Sequence, residues 1–289
     1  MKTFKLTFSQ PKKPLITGLA LGVFDGIHRG HQQLLNQANA LLTFNPHPAE
    51  IIKNASVSRL TTIDEMTTYC PNIFTLTFTP TIAKMSALDY LNNIIKKEIN
   101  PKKIIVGYDY NFGTNREGNI ELLKQWGNQQ NIIIQEIAPF TYKSQLIKSR
   151  VIRTAITNGN FNQGIDWLGH DYLIKGIVIK GDGRGKKLGF PTANLAVPPN
   201  KCIPQNGVYQ GSVIHNHNTY KAMIYIGNKP TFNQHQQSIE VHILDFNQNI
   251  YDTPLNVFIS KKIRDEKTFS STTALINQIK QDIQTTYEN

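Results

Sequence analysis

LITGLALGVFDGIHRGHQQLLNQANALLTF, Leu15–Phe44, is the stretch on which the fold turns. Leu15–Val23 is a nearly unbroken apolar run and predicts a buried strand. Asp25-Gly26 supplies a turn, Gln32–Ala40 predicts a helix, and Leu41–Phe44 a second strand. A strand, a helical crossover and another strand give a parallel pair. Working outward, Ile73–Phe78, Lys103–Gly107 and Ile132–Ile137 predict further strands. Ala87–Ile99 (ALDYLNNIIKKEI) and Asn119–Gln130 predict the helices between them. This alternation implies an α/β domain with a parallel sheet covered by helices, whose ligands sit at the carboxyl ends of the strands. FDGIHRGH lies at one such end.

The texture changes at Tyr172. Tyr172–Lys180, Gly207–Ile214, Thr219–Ile226, Ile239–Phe246 and Leu255–Ile263 are strand-like, and no helical pattern intervenes before Ser271–Thr286. That pattern fits an antiparallel β-barrel closed by one C-terminal helix. A helical stretch from Val151 precedes the change, so the boundary is expected near Trp167–Tyr172, giving domains 1–168 and 169–289.

Bulk composition agrees with two soluble domains. The chain has 289 residues, 39% of them hydrophobic and 9% aromatic, enough for two cores. Its 31 basic and 20 acidic residues leave a net charge of +11, which suits nucleotides, an anionic surface or nucleic acid. No Lys/Arg cluster dominates outside one glycine-rich loop, so nucleic acid is the minority reading. Cys70 and Cys202 are far apart with no CxxC spacing, pointing to a reduced, cytoplasmic protein. MKTFKLTFSQPKK lacks the apolar core of a signal peptide, and no apolar run reaches the roughly 18 residues of a membrane helix.

Two motifs carry phosphate chemistry. In GVFDGIHRGH, Gly22–His31, the histidines His28 and His31 stand three residues apart near a helix start and can face one anion. One histidine alone there would read as a surface or capping residue. In GDGRGKKLGFPTANL, Gly181–Leu195, glycines allow close backbone approach to a ligand. Arg184, Lys186 and Lys187 add positive charge, and Thr192 and Asn194 offer neutral oxygens suited to a hard cation.

These residues carry a resemblance. The histidine pair resembles the HxGH motif of the nucleotidyltransferase superfamily. More closely, the chain is similar to the bacterial bifunctional riboflavin kinase/FMN adenylyltransferase family, also called FAD synthetases. TFNPHP (Thr43–Pro48), RLTT (Arg59–Thr62) and GYDYNFG (Gly107–Gly113) match in the first half. GDGRGKKLGFPTANL, GVYQGSV, YIGNKPTF, IEVHILDF and KKIRDEKTF match in the second, in the family's order, so the likeness runs from about Leu19 to about Asp282. It implies a Rossmann-like nucleotidyltransferase domain followed by a riboflavin kinase barrel, using ATP and Mg²⁺ with riboflavin, FMN and FAD as substrates and products.

The resemblance also implies roles. At the adenylyl site Gly22, Phe24, Asp25, His28, Gly30, His31, Ser149 and Arg153 would hold ATP, with His28 and His31 catalytic. Pro46, His47, Pro48 and Asp109 would place the flavin. At the kinase site Gly181, Gly183, Arg184, Gly185 and Lys187 would wrap the ATP phosphates. Thr192 and Asn194 would hold the metal and terminal phosphates, Glu240 would be the general base, and Arg264, Glu266 and Phe269 would line the flavin. From the residues alone, Glu240 reads as a solvent-facing strand residue, KKIRDEK as a charged loop, and His47 as structural. Two departures stand out. IKSRVIR, Ile147–Arg153, replaces the family's ISSTRIR, so that Ser149 and Arg153 fit while Lys148, Arg150 and Val151 differ. The link from His31 to Thr43 is also short, which demands a short helix. The alternatives are a riboflavin kinase with a weakened adenylyltransferase domain, and a flavin- or RNA-binding protein. Self-association is left open.

Overall fold

A computed structural model describes residues 4–231 and 234–288. Met1–Thr3 of the opening stretch and Phe232 of YIGNKPTF lie outside the described residues. The chain forms two compact units, 1–149 and 150–289.

The first unit is a six-stranded sheet ordered β1-β4-β3-β2-β5-β6. Its strands are β1 (Leu6–Phe8), β2 (Leu19–Leu21), β3 (Ala40–Asn45), β4 (Ile73–Thr77), β5 (Lys103–Gly107) and β6 (Ile133–Ile137). β2 to β6 run parallel, and β1 adds an antiparallel edge. Strand alternation sorts the side chains between two cores. Leu19, Leu21, Ala40 and Leu42 pack with Tyr90, Leu91, Ile94 and Trp126 on one face. Ala20, Leu41 and Ile105 pack with Phe24, Ile27 and Leu34 on the other. The helix begun at Ala87–Asp89 continues as a π-helix over Tyr90–Ile99 and closes with Asn100 N–H on the Ile95 carbonyl at 2.8 Å.

The crossover from β2 to β3 departs from the expected bounds. The strand spans only Leu19–Leu21, and the helix occupies Arg29–Leu35, earlier than Gln32–Ala40. The short link forces this, because the chain must be back at the sheet by Ala40. The Asn39 side chain makes the junction: its oxygen accepts Thr17 and Gly18 N–H, both at 3.0 Å, and its Nδ2 donates to the Leu15 carbonyl at 2.8 Å. A hairpin, β7 (Thr141–Tyr142) and β8 (Gln145–Leu146), follows the sheet.

A helix, Ser149–Thr157, starts on the last residue of the first unit and runs into the second, where it and the helix Phe161–Leu168 precede a closed barrel. Its strands are β9 (Tyr172–Ile179), β10 (Ala193–Ala196), β11 (Gly207–His215), β12 (Asn218–Thr231), β13 (Gln234–Ile243) and β14 (Pro254–Asp265), all antiparallel. The ring order is β10-β13-β12-β11-β14-β9. Phe161 meets Tyr172 and Tyr209 edge to face. The final helix, Thr272–Glu288, packs on β12 and β11.

Candidate active sites

In the first unit a cavity of about 1100 Å³ opens at the carboxyl ends of the parallel strands. The strand order reverses between β2 and β5, the place where open α/β sheets bind ligands. Gly22, Phe24, His28, Gly30 and His31 line it after β2, His47 and Pro48 after β3, and Asp109 after β5. Lys148 and Ser149 complete that wall. Pro46 forms the exit from β3, joined to Asn45 by a cis peptide bond.

His28 caps the helix Arg29–Leu35, its Nδ1 accepting the His31 N–H at 3.4 Å. His47 caps the helix Pro48–Lys53 in the same way: Nδ1 accepts Ala49 N–H at 3.1 Å, while His47 N–H donates to Glu50 at 3.2 Å. An imidazole accepting at Nδ1 carries its ring proton on Nε2, so each cap fixes the tautomer and the ring's orientation. The His28 and His31 rings stack with centroids 3.7 Å apart, and Phe24 lies edge-on to His31. Burial, reinforced by His28, holds the His31 imidazole well below its usual 6.5, so it is neutral at pH 7.

Asp25 lies beneath the turn rather than on the wall. It is buried, its carboxylate accepts Thr61 N–H at 3.1 Å, and its carbonyl accepts the Ser149 hydroxyl at 2.7 Å. In the sequence Arg59 stands out only as part of RLTT. The structure buries its guanidinium, which donates to the Phe44 carbonyl at 3.1 Å and feels Asp25 and Glu50. Arg59 and Thr61 thus tie the turn after β2 to the exit of β3. An arginine or threonine in a loop gives no sign of that in sequence. Arg150 and Arg153 continue the helix Ser149–Thr157 within the second unit, whereas Lys148 stays on the cavity wall.

On the barrel, β10 lies between β9 and β13, which sets Asn194 directly across from Glu240. The Thr192 hydroxyl donates to Glu240 Oε2 at 3.1 Å. His242 and Phe190 brace the turn before them, with His242 Nδ1 2.7 Å from the Pro191 carbonyl and the two rings edge to face. Gly181 faces Asn194: a Cβ there would lie 2.5 Å from Asn194 Cγ, so any other residue would displace the Asn194 side chain. Neutral oxygens of Thr192 and Asn194 with one carboxylate suit Mg²⁺ completed by nucleotide phosphates. Gly183 precedes the single helical turn Arg184–Lys187, and Gly185 sits within it. Arg184 and Lys187 are exposed, with Arg184 3.7 Å from Asp182.

The end of β14 supplies a second group. Glu266 accepts the Tyr225 hydroxyl and, at 3.1 Å, Asn206 Nδ2. Arg264 instead grips the buried Asp282 through Nε at 3.0 and 3.1 Å and Nη2 at 2.7 Å, and its guanidinium lies 5.8 Å from the Phe269 ring centroid. Its fork is therefore committed to the C-terminal helix, with Phe269 on its face. Asp282 was missed in sequence, although its i, i+4 spacing from Gln278 and to Thr286, both hydrogen-bond partners, was available.

A nucleotide-type crevice on a parallel sheet and a glycine-cradled carboxylate on a barrel define a transferase of phosphorus-containing groups. Comparison with known proteins agrees. A family model described as FAD synthetase matches residues 11–151, and one described as riboflavin kinase matches 168–289. A bifunctional riboflavin kinase/FMN adenylyltransferase of Buchnera aphidicola subsp. Schizaphis graminum is 36% identical, covering 93% of this chain and 92% of that protein. The Bacillus subtilis protein of the same name is 31% identical, covering 92% and 90%. A solved structure described as a macrolide-efflux protein from Streptococcus pneumoniae superposes with TM-score 0.83 at 30% identity, covering 96% of this chain and 95% of that one. The chain belongs to the bifunctional riboflavin kinase/FMN adenylyltransferase family.

Proposed function

We propose that the barrel phosphorylates riboflavin to FMN and that the α/β unit joins FMN to AMP, with the division of labour at 1–168 and 169–289. Both enzyme domains are present, and ATP, Mg²⁺ and flavins are the reactants and metal of this enzyme family. The observation that carries the kinase reading is the Thr192–Glu240 hydrogen bond beside Asn194.

At the barrel, Gly181–Lys187 with its cationic side chains wraps the nucleotide phosphates, and Thr192 and Asn194 hold Mg²⁺. The metal, when bound, neutralises phosphate charge. Glu240 takes the proton of the ribityl hydroxyl as its oxygen bonds to the terminal phosphorus and the bond to ADP breaks. Glu266 and Phe269 hold the flavin, and Arg264 supports them through Asp282.

In the first unit the FMN phosphate oxygen attacks the α-phosphorus of ATP, and pyrophosphate leaves. His28 and His31 donate to the oxygens that gain charge, and the cap that orients His28 and the burial of His31 let them do so without rearranging. Gly22, Phe24, Gly30 and Ser149 shape the nucleotide side, with Asp25 beneath the turn, while Pro46, His47, Pro48 and Asp109 shape the flavin side. Ser149 keeps its bond to the Asp25 carbonyl although Lys148, Arg150 and Val151 depart from the family's pattern, which favours two activities over a kinase with a weakened partner.

Among the described residues no helix is long and apolar enough to cross a membrane. Cys70 and Cys202 are buried and not joined in a disulfide, which supports work in the cytoplasm. The expected partners are small molecules rather than nucleic acid, with self-association open. Incubation with riboflavin, ATP and Mg²⁺ and separation of the products tests this: FMN followed by FAD is expected, and FMN alone would leave only the kinase.

A further inference from the structure

Tyr225 belongs to no motif role assigned above. It lies on β12 directly across from Glu240 of β13, and its hydroxyl donates to Glu266 at the end of β14. It therefore stands between two carboxylates with a single proton to give. Its ring runs along its own strand, because a Cβ at Gly227 would collide with it. A side chain at that position would push the hydroxyl off Glu266.

The acceptor is held from several directions. Asn206 Nδ2 donates to Glu266 Oε2 at 3.1 Å, and Gln237 Nε2 donates to Asn206 Oδ1 at 3.0 Å. Tyr225 and Asn206, the latter braced by Gln237, thus fix a carboxylate that would otherwise turn freely in water. Partial burial and the two carboxylates push the Tyr225 hydroxyl above its usual range, so it remains a donor.

We infer that Tyr225 is a positioning residue for riboflavin: it commits its hydroxyl proton to Glu266 rather than to Glu240, which accepts the Thr192 hydroxyl. This rests on the reading of Glu266 as a flavin-side group and of Glu240 as the base. Glu266, oriented by Tyr225 and Asn206, presents a fixed acceptor to a polar edge of the flavin or its ribityl chain. Without the tyrosine hydroxyl, Glu266 must be ordered by the substrate, and the loss falls on binding rather than on proton transfer.

The test measures riboflavin phosphorylation in Tyr225→Phe, Glu266→Gln and the double variant, with the urea midpoint of kinase activity as the gauge of a folded barrel. Tyr225→Phe should raise KM for riboflavin about 10-fold, the size of one charge-assisted hydrogen bond, while kcat and KM for ATP change less than about 3-fold. Glu266→Gln should raise the same KM, and the double variant should be no worse than Glu266→Gln alone, because the two side chains act as a pair. A raised KM in Glu266→Gln with wild-type KM in Tyr225→Phe overturns the role of Tyr225 alone. Wild-type KM in both overturns the flavin assignment of Glu266 and the inference with it. A fall in kcat as large as the rise in KM, or additive losses in the double variant, also overturns it.

Discussion

Behind the N-terminal cavity, Asp25 and Arg59 are 2% and 1% exposed, and the His31 imidazole is held neutral by its surroundings. Near Glu240 on the barrel, the loop that would wrap the phosphates is open to solvent: Gly181, Gly183, Arg184, Lys186 and Lys187 are all exposed. The first site is set by groups locked beneath its surface. The second is set by strand register, with Asn194 and Tyr225 each across from Glu240, and draws its charge from an exposed loop. The contrast suits the tasks. Adenylyl transfer needs donors fixed around one phosphorus, whereas phosphorylation of a hydroxyl needs one base and cations that the nucleotide can gather.

The sharpest break between the sites is expected from Glu240→Gln. It should lower FMN formation about 10²–10⁴-fold, as loss of a general base does, while adenylylation of supplied FMN continues. Near-normal FMN production would remove Glu240 from the mechanism. Next in size, His28→Ala and His31→Ala should each cut FAD formation about 10²–10³-fold, with FMN accumulating from riboflavin. Equal loss of both products would mean that the two units do not function separately.

Asp282→Ala probes the barrel's own buried charge. It leaves Arg264 without its partner, and removing one member of a buried pair costs about 3 kcal/mol. The expected sign is a lower urea midpoint for kinase activity with adenylyl transfer unmoved, and an unchanged midpoint would refute the anchoring role. The smallest effect concerns pH. The unfolded chain protonates His31 near its ordinary 6.5 while the folded state resists, so stability of the first unit is flat above that pH and declines as pH falls below it, until the folded-state value is passed. Urea titrations from about pH 7.5 to about 5 should show this slope in the wild type and a weaker one in His31→Gln. Identical slopes would assign the loss to other groups.

Much of the scaffold was legible because period and apolar runs decide it. Lys103–Gly107 is a strand with those bounds, and Asn119 caps the helix Ile120–Gln130, one residue inside the expected span. What escaped had little pattern to show. β1 is three residues long, β10 is four, and the helix Pro48–Lys53 has no buried residue and is held by its capping box. In the sites, the motif residues were readable as types, but their partners were not. Arg59 and Asp25 come together across the sheet from unconnected loops, and Tyr225 looks like any aromatic in an alternating strand. Only the space over Gly227 turns its hydroxyl toward Glu266. That depends on three strands in register, which local spacing does not encode.

The closure of the barrel sets an order of events during synthesis. The ring is completed when β14, Pro254–Asp265, pairs with β9 and β11. The first unit has all its residues by position 149. At about 5–20 residues per second, several to some tens of seconds separate the two moments on the ribosome. Throughout that interval β9 and β11 each present an unpaired edge, the kind of surface that recruits strands from other chains. A nascent chain therefore holds a finished adenylyltransferase fold ahead of an open sheet. Slow translation between Tyr172 and Pro254 would lengthen the exposure of the kinase half alone.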